Sequence, residues 1–95
     1  MFYLFAISVT SPCSESTVKK LEIKNLTVCT CEASSFDWTY DDQETCLLLE
    51  GDVTVTPDGG EPVRFGAGDL VIFPAGMDCR WDVHKAVRKH YRFGD

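Results

Sequence analysis

The sequence predicts an all-β antiparallel sandwich or small barrel, and three observations carry that expectation. Asp52-Val53-Thr54-Val55-Thr56 alternates apolar and polar residues and is rich in β-branched side chains, the signature of a strand buried on one face. Glycine and proline recur at short intervals. Pro57-Asp58-Gly59-Gly60 is a strong hairpin turn, and the apolar run Leu70 to Phe73 is closed by Pro74-Ala75-Gly76. Ser14 to Leu26 is the one helix candidate, capped by Ser14 or Ser16 with Val18 and Leu21 as a short apolar stripe, and a strand around Leu21-Glu22-Ile23 is its alternative, so at most one short N-terminal helix is expected. The sum is about eight to ten short strands with almost no helix.

In order, Phe2 to Val9 is an apolar edge strand. No basic region precedes it, which favours that reading over a secretion signal. After Asn25 the chain alternates, Leu26 and Val28 against Thr27, Cys29 and Cys31, with Cys29 and Cys31 on one face as small buried residues. Phe36-Asp37-Trp38-Thr39-Tyr40 alternates large aromatic and polar side chains, as a strand packed on one side does. Glu44 to Glu50 is the next strand, ended or bent by Gly51. Asp52 to Thr56 and Pro62 to Phe65 flank the hairpin turn. Gly66 and Gly68 supply the backbone freedom for a second turn, and Pro74-Ala75-Gly76 then re-aims the chain towards Cys79. Cys79 to Val83 and Ala86 to Phe93 close the chain as two strands, with His84 in the turn between them. Val87, Lys89, Tyr91 and Phe93 share one face of the last strand, and His90 lies on the other.

The chain has 95 residues, 44% hydrophobic and 25% charged, which suits one globular domain over residues 1–95. A net charge of −6 argues against nucleic acid and anionic membrane surfaces as partners, and no run is long enough to span a bilayer. Five cysteines, an odd count, point to reduced thiols in a cytoplasmic compartment.

Separated words of sequence now agree in order. Phe36 to Asp41, Glu44-Thr45-Cys46, Leu49-Glu50-Gly51, Gly68 to Val71, Phe73 to Met77, Cys79 to Val83 and Arg88 to Tyr91 together resemble the two motifs of the cupin superfamily. Within it they are similar to the small cupins related to (S)-ureidoglycine aminohydrolase and, more distantly, to EutQ. The resemblance spans about residues 31–93. It implies a double-stranded β-helix, or jelly-roll barrel, and a homodimer joined through sheet edges such as the Phe2 to Val9 strand. A metal-binding cupin places two histidines ahead of the motif glutamate and a third after the Pro-x-Gly bend. Those places here hold Trp38, Tyr40 and Cys79, and only Glu44 remains as a ligand type. One carboxylate and one thiol fall short of a first-row metal's usual three or more protein ligands, so no metal or other cofactor is expected.

The motif positions of a cupin point inward, so the resemblance implies a pocket lined by Trp38, Tyr40, Glu44, Cys46, Cys79 and Trp81, with Lys89 and Tyr91 reaching it from the last strand. Glu44, Lys89 and Cys79 are the candidate catalytic groups; Trp38, Tyr40, Cys46, Trp81 and Tyr91 are the candidate ligand contacts. Each has a structural alternative. The aromatic residues can fill the barrel, Glu44 and Lys89 can pair as internal glue, and Cys79 can be an inert core thiol. As a nucleophile Cys79 would need Lys89 beside it to hold a thiolate, and a Cys46–Cys79 redox pair is a further option. The leading functional expectation is a metal-free pocket for a small polar or nitrogenous metabolite, with acid–base chemistry by Glu44 and Lys89. The alternatives are a non-catalytic module with a filled barrel, and a metal-dependent aminohydrolase-like enzyme.

Overall fold

The computed structural model describes residues 7–10 and 27–94. Seven strands lie among them: β1 (Ser8–Thr10), β2 (Thr27–Cys31), β3 (Ser34–Thr39), β4 (Glu44–Pro57), β5 (Val63–Gly66), β6 (Leu70–Phe73) and β7 (Asp78–Phe93). All their pairings are antiparallel. The expected helix over Ser14 to Leu26 and the first residues of the Phe2 to Val9 strand lie outside the described residues. β1 pairs with β6 over Ser8–Thr10.

Two long strands build the molecule. The first half of β4 pairs with β6 and with the second half of β7, which β2 flanks. The second half of β4 pairs with β5 and with the first half of β7, which β3 flanks. Between the halves the β4–β7 register shifts three times, from Leu48 to Val53, and these bulges bend both strands so that one half-sheet closes over the other. This is the jelly-roll arrangement. The sequence pattern lets Gly51 end or bend one long strand and puts a turn at His84 in the other; the structure runs both strands through the corner, and His84 sits within β7, where its Nε2 hydrogen-bonds the Thr54 hydroxyl at 2.9 Å.

Gly51 is the hinge of that corner. Its φ is +124°, and a Cβ there would lie 2.8 Å from Val87 Cγ2 and 2.9 Å from Val87 Cα. Only glycine can bring β4 so close to β7 in this conformation. The corner also flips the pleat of β4: the core takes Cys46 and Leu48 before it, and Val53 and Val55 after it.

The core between the half-sheets is aromatic at its centre. Phe73 on β6 stacks on Tyr40 (centroids 4.9 Å apart) and packs against Trp81 of the facing half-sheet at 5.5 Å. Phe65 meets both Phe73 and Trp81 edge-on, at 5.8 and 6.0 Å. Edge and offset contacts of this kind satisfy the ring quadrupoles and add to the burial term.

Candidate functional site

The aromatic core does not fill the whole interior. Between the half-sheets, on the side of β2 and β3, lies a cavity of about 310 Å³. Its lining comes from four strands and one loop: Cys29 and Cys31 of β2, Phe36 and Trp38 of β3, Tyr40, Glu44 at the start of β4, and Trp81, Val87, Lys89, Tyr91 and Phe93 of β7. Strand pairing sets these side chains side by side. Trp81 is opposite Phe36 on β3, and Lys89 is opposite Cys29 on β2 and Leu48 on β4.

The floor is an ion pair. Lys89 Nζ donates to Glu44 Oε2 at 3.1 Å, and both residues are buried, 8% and 4% exposed. The ammonium also lies 4.8 Å from the centroid of the Trp81 ring, a cation–π distance. Burial pulls the Lys89 pKa down, but the Glu44 carboxylate, through its charge and its hydrogen bond, holds the pKa above its ordinary value. Lys89 therefore stays charged at neutral pH and beyond.

Tyr40 completes the polar set. Its hydroxyl accepts a hydrogen bond from Trp81 Nε1 at 3.1 Å, which leaves the phenolic proton free to donate. Burial raises the Tyr40 pKa, so the group stays a neutral donor. The backbone of Tyr40 is locked to the Pro74-Ala75-Gly76 bend: its N–H donates to the Met77 carbonyl at 2.9 Å and its carbonyl accepts from Gly76 N at 2.6 Å. The rim is apolar, with Trp38 and Phe93 about half exposed.

Six of the eight sequence-derived site residues thus line one cavity: Trp38, Tyr40, Glu44, Trp81, Lys89 and Tyr91. Cys46 and Cys79 do not. Cys46 is fully buried beside Lys89, Glu44 and Cys29, and burial pushes its pKa up to about 12. Cys79 is buried below Trp38, whose carbonyl accepts from its thiol at 3.5 Å. Burial first, then the acidic side chains of Asp58, Asp78 and Asp37, push its pKa up to about 11. Its neighbourhood is therefore acidic, not the cationic one that a thiolate nucleophile needs. Cys46 and Cys79 sit in different surroundings, and the four described cysteines are all free thiols. Cys29, Cys31, Phe36, Val87 and Phe93 were not expected as site residues. The signal was present for four of them: Val87 and Phe93 share the face of Lys89, and Cys29 and Cys31 share theirs.

The donor set does not fit a metal ion. Among the described residues Glu44 is the one carboxylate in the lining, and it is already paired with an ammonium, which would repel a cation placed on it. Trp38 and Tyr40 offer an indole and a neutral phenol in the other ligand places, and Cys79 turns to a backbone carbonyl. Among the described residues, no three His, Cys, Asp or Glu side chains converge in a way that could hold an ion. No helix among them is long and apolar enough to cross a membrane.

Known proteins share this fold. The family model for the EutQ-like cupin domain matches residues 18–91. A DUF861-family protein from Thermotoga maritima is 40% identical, with the match covering 93% of this chain and 99% of that one and a TM-score of 0.89. A putative ethanolamine utilization protein Q from Salmonella typhimurium is 27% identical over 70% of this chain and 54% of its own, with a TM-score of 0.63. The EutQ protein of Clostridium difficile, 24% identical over 70% of this chain and 52% of its own, shares the fold with a TM-score of 0.64. The chain thus spans about half the length of these two EutQ proteins. No curated protein matches it. With the family model matched from residue 18 to residue 91 and a close likeness along nearly the whole chain, the protein belongs to the family of EutQ-like cupin domains.

Proposed function

We propose that the protein binds a small polar, nitrogen-bearing metabolite between its half-sheets, anchored at Glu44 and Lys89. The observation that carries this reading is the ion pair on the floor of the cavity. A buried carboxylate and ammonium cost several kcal/mol of desolvation (roughly, before their attraction is counted), and a core that needed only glue would be as stable with packed apolar groups. Here the pair lines a space of about 310 Å³, at the lower end of the roughly 300–1,000 Å³ of small-molecule sites. The same space argues against the module with a filled barrel.

On a bound molecule, Glu44 is the acceptor, and Lys89, held charged, is the donor and the stabiliser of developing negative charge. The two form an acid–base couple for proton transfer that needs no metal. Cys79 takes no part in this reading, because it lies outside the lining. The free thiols support a reducing, cytoplasm-like setting. Pairing of two copies through a sheet edge belongs to the proposal too, and light scattering reads it: a mass near twice 10.6 kDa supports the dimer, and a monomer at micromolar concentrations rejects it.

A thermal-shift screen of a metabolite library, run on wild type and on Glu44→Gln, tests the pocket. A true ligand raises the melting temperature of wild type and loses most of that effect in the variant. A library that stabilises neither protein, or both equally, rejects the reading.

A further inference from the structure

From the charge balance of the cavity, and resting on the pocket reading above, we infer that its ligands are uncharged amides. The matching molecule presents a carbonyl oxygen and an N–H side by side on a flat group.

Among the described residues, Glu44 and Lys89 are the only ionic side chains in the lining, and they neutralise each other at 3.1 Å. A charged ligand gains no unpaired counter-charge here. An anion would meet Glu44 and a cation would meet Lys89, each among aromatic side chains that screen charge poorly. An ionic ligand therefore has to break the pair to be paired itself. A neutral ligand need only meet the valences that the pair leaves over.

Those valences have a definite pattern. Glu44 uses Oε2 on Lys89, which leaves Oε1 as acceptor. Lys89 carries three N–H donors, of which one goes to Glu44 and the Trp81 ring face takes up another side of the ammonium. Tyr40 has its lone pair occupied by Trp81 Nε1 and its proton to give. These three groups thus offer two donors and one acceptor. A carbonyl oxygen suits Lys89 and Tyr40, and an adjacent N–H suits Glu44. Carboxamides, ureas and lactams carry both on one planar edge. Their flat, weakly polar bodies suit walls made of Trp38, Phe36 and Tyr91.

Four probes of nearly one shape separate the possibilities in titration calorimetry: benzamide, N,N-dimethylbenzamide, benzoate and benzamidinium. Benzamide is expected to bind wild type best. N,N-dimethylbenzamide, which has lost the N–H, is expected to bind about tenfold more weakly, the worth of one hydrogen bond. Benzoate and benzamidinium are expected to be weaker still. Glu44→Gln leaves Lys89 without its counter-charge and should move benzoate ahead of benzamide, while Glu44→Gln/Lys89→Met, neutral again, should keep benzamide ahead of both ions. The double variant also serves if the single one is too unstable to titrate.

Benzoate or benzamidinium matching benzamide on wild type overturns the inference and leaves the pocket standing. An unchanged ranking in Glu44→Gln, or a dimethyl analogue as tight as benzamide, overturns it as well. Silence from all four probes overturns the amide class, and the pocket reading falls with it if the metabolite library is also silent.

Discussion

Lys89 shows how much one side chain settles. Its partner, its cation–π neighbour and its strand-mates make it the hub of the cavity floor. Lys89→Met leaves the Glu44 carboxylate buried without a counter-charge, and urea unfolding at neutral pH should show a loss of up to about 3–5 kcal/mol. Glu44→Gln/Lys89→Met should recover most of that loss, because no charge is then stranded. A double variant as unstable as the single one would mean that packing of the lysine stem, and not charge, supports the floor. The buried thiols give a second prediction at this scale. The Cys46 thiol is held protonated up to about pH 12 in the folded protein, whereas in the unfolded chain it ionises near about pH 8.5. A raised folded pKa contributes stability that is fully present below the unfolded value and lost as pH rises towards the folded one. Denaturant midpoints should therefore fall as pH climbs above about 8.5, and fall less steeply in Cys46→Ala relative to that variant's own value at neutral pH. Equal slopes would remove Cys46 from the alkaline transition.

At the scale of elements, the β4–β7 corner decides whether the half-sheets can meet. Gly51→Ala combines a positive φ with a Cβ pressed on the Val87 backbone. It should cost about 2–4 kcal/mol in urea unfolding. Gly59→Ala, with φ +72° but nothing within 4 Å of its Cβ, should cost about 1–2 kcal/mol, the backbone part alone. Similar losses at the two sites would show that the close approach at the corner relaxes at no cost. The corner is also where the sequence was hardest to read. A glycine inside an alternating run looks like a strand end, so β4 divided at Gly51, although the phase change from Cys46 and Leu48 to Val53 and Val55 is what a bulge produces. Parity along β7 was sound from Cys79 to Phe93, and it placed Trp81, Lys89 and Tyr91 correctly on the inner face. Parity reports face and not depth. Cys79 faces inward, as the alternation requires, yet it lies under Trp38 at a level of the barrel that the cavity does not reach. The local pattern also could not tell that the Pro74-Ala75-Gly76 bend clamps the Tyr40 backbone, since that contact joins segments far apart in the chain.

Over the whole molecule, the cavity is bounded by both half-sheets: β2 and the end of β7 on one side, β3 and the start of β7 on the other. Anything that binds there touches the two outer strands as well as the hub that joins them. Ligand binding should therefore stabilise the fold globally instead of ordering a single loop. The size of the effect follows from mass action. At a free ligand concentration of 100 times Kd the folded state gains about 2.7 kcal/mol. For a domain of this length that corresponds to a rise in Tm of about 10–20 °C. Hydrogen exchange should distribute the gain across the amides of Thr27–Cys31 and Ser34–Thr39, the strands at the open side of the cavity, because their detachment from β7 is the opening that a ligand held between them opposes. The hairpin turn at Pro57 to Gly60, remote from the lining, should keep its exchange rate. Protection confined to β3, with β2 unchanged, would mean that the ligand rests on the aromatic rim without reaching the Glu44–Lys89 floor.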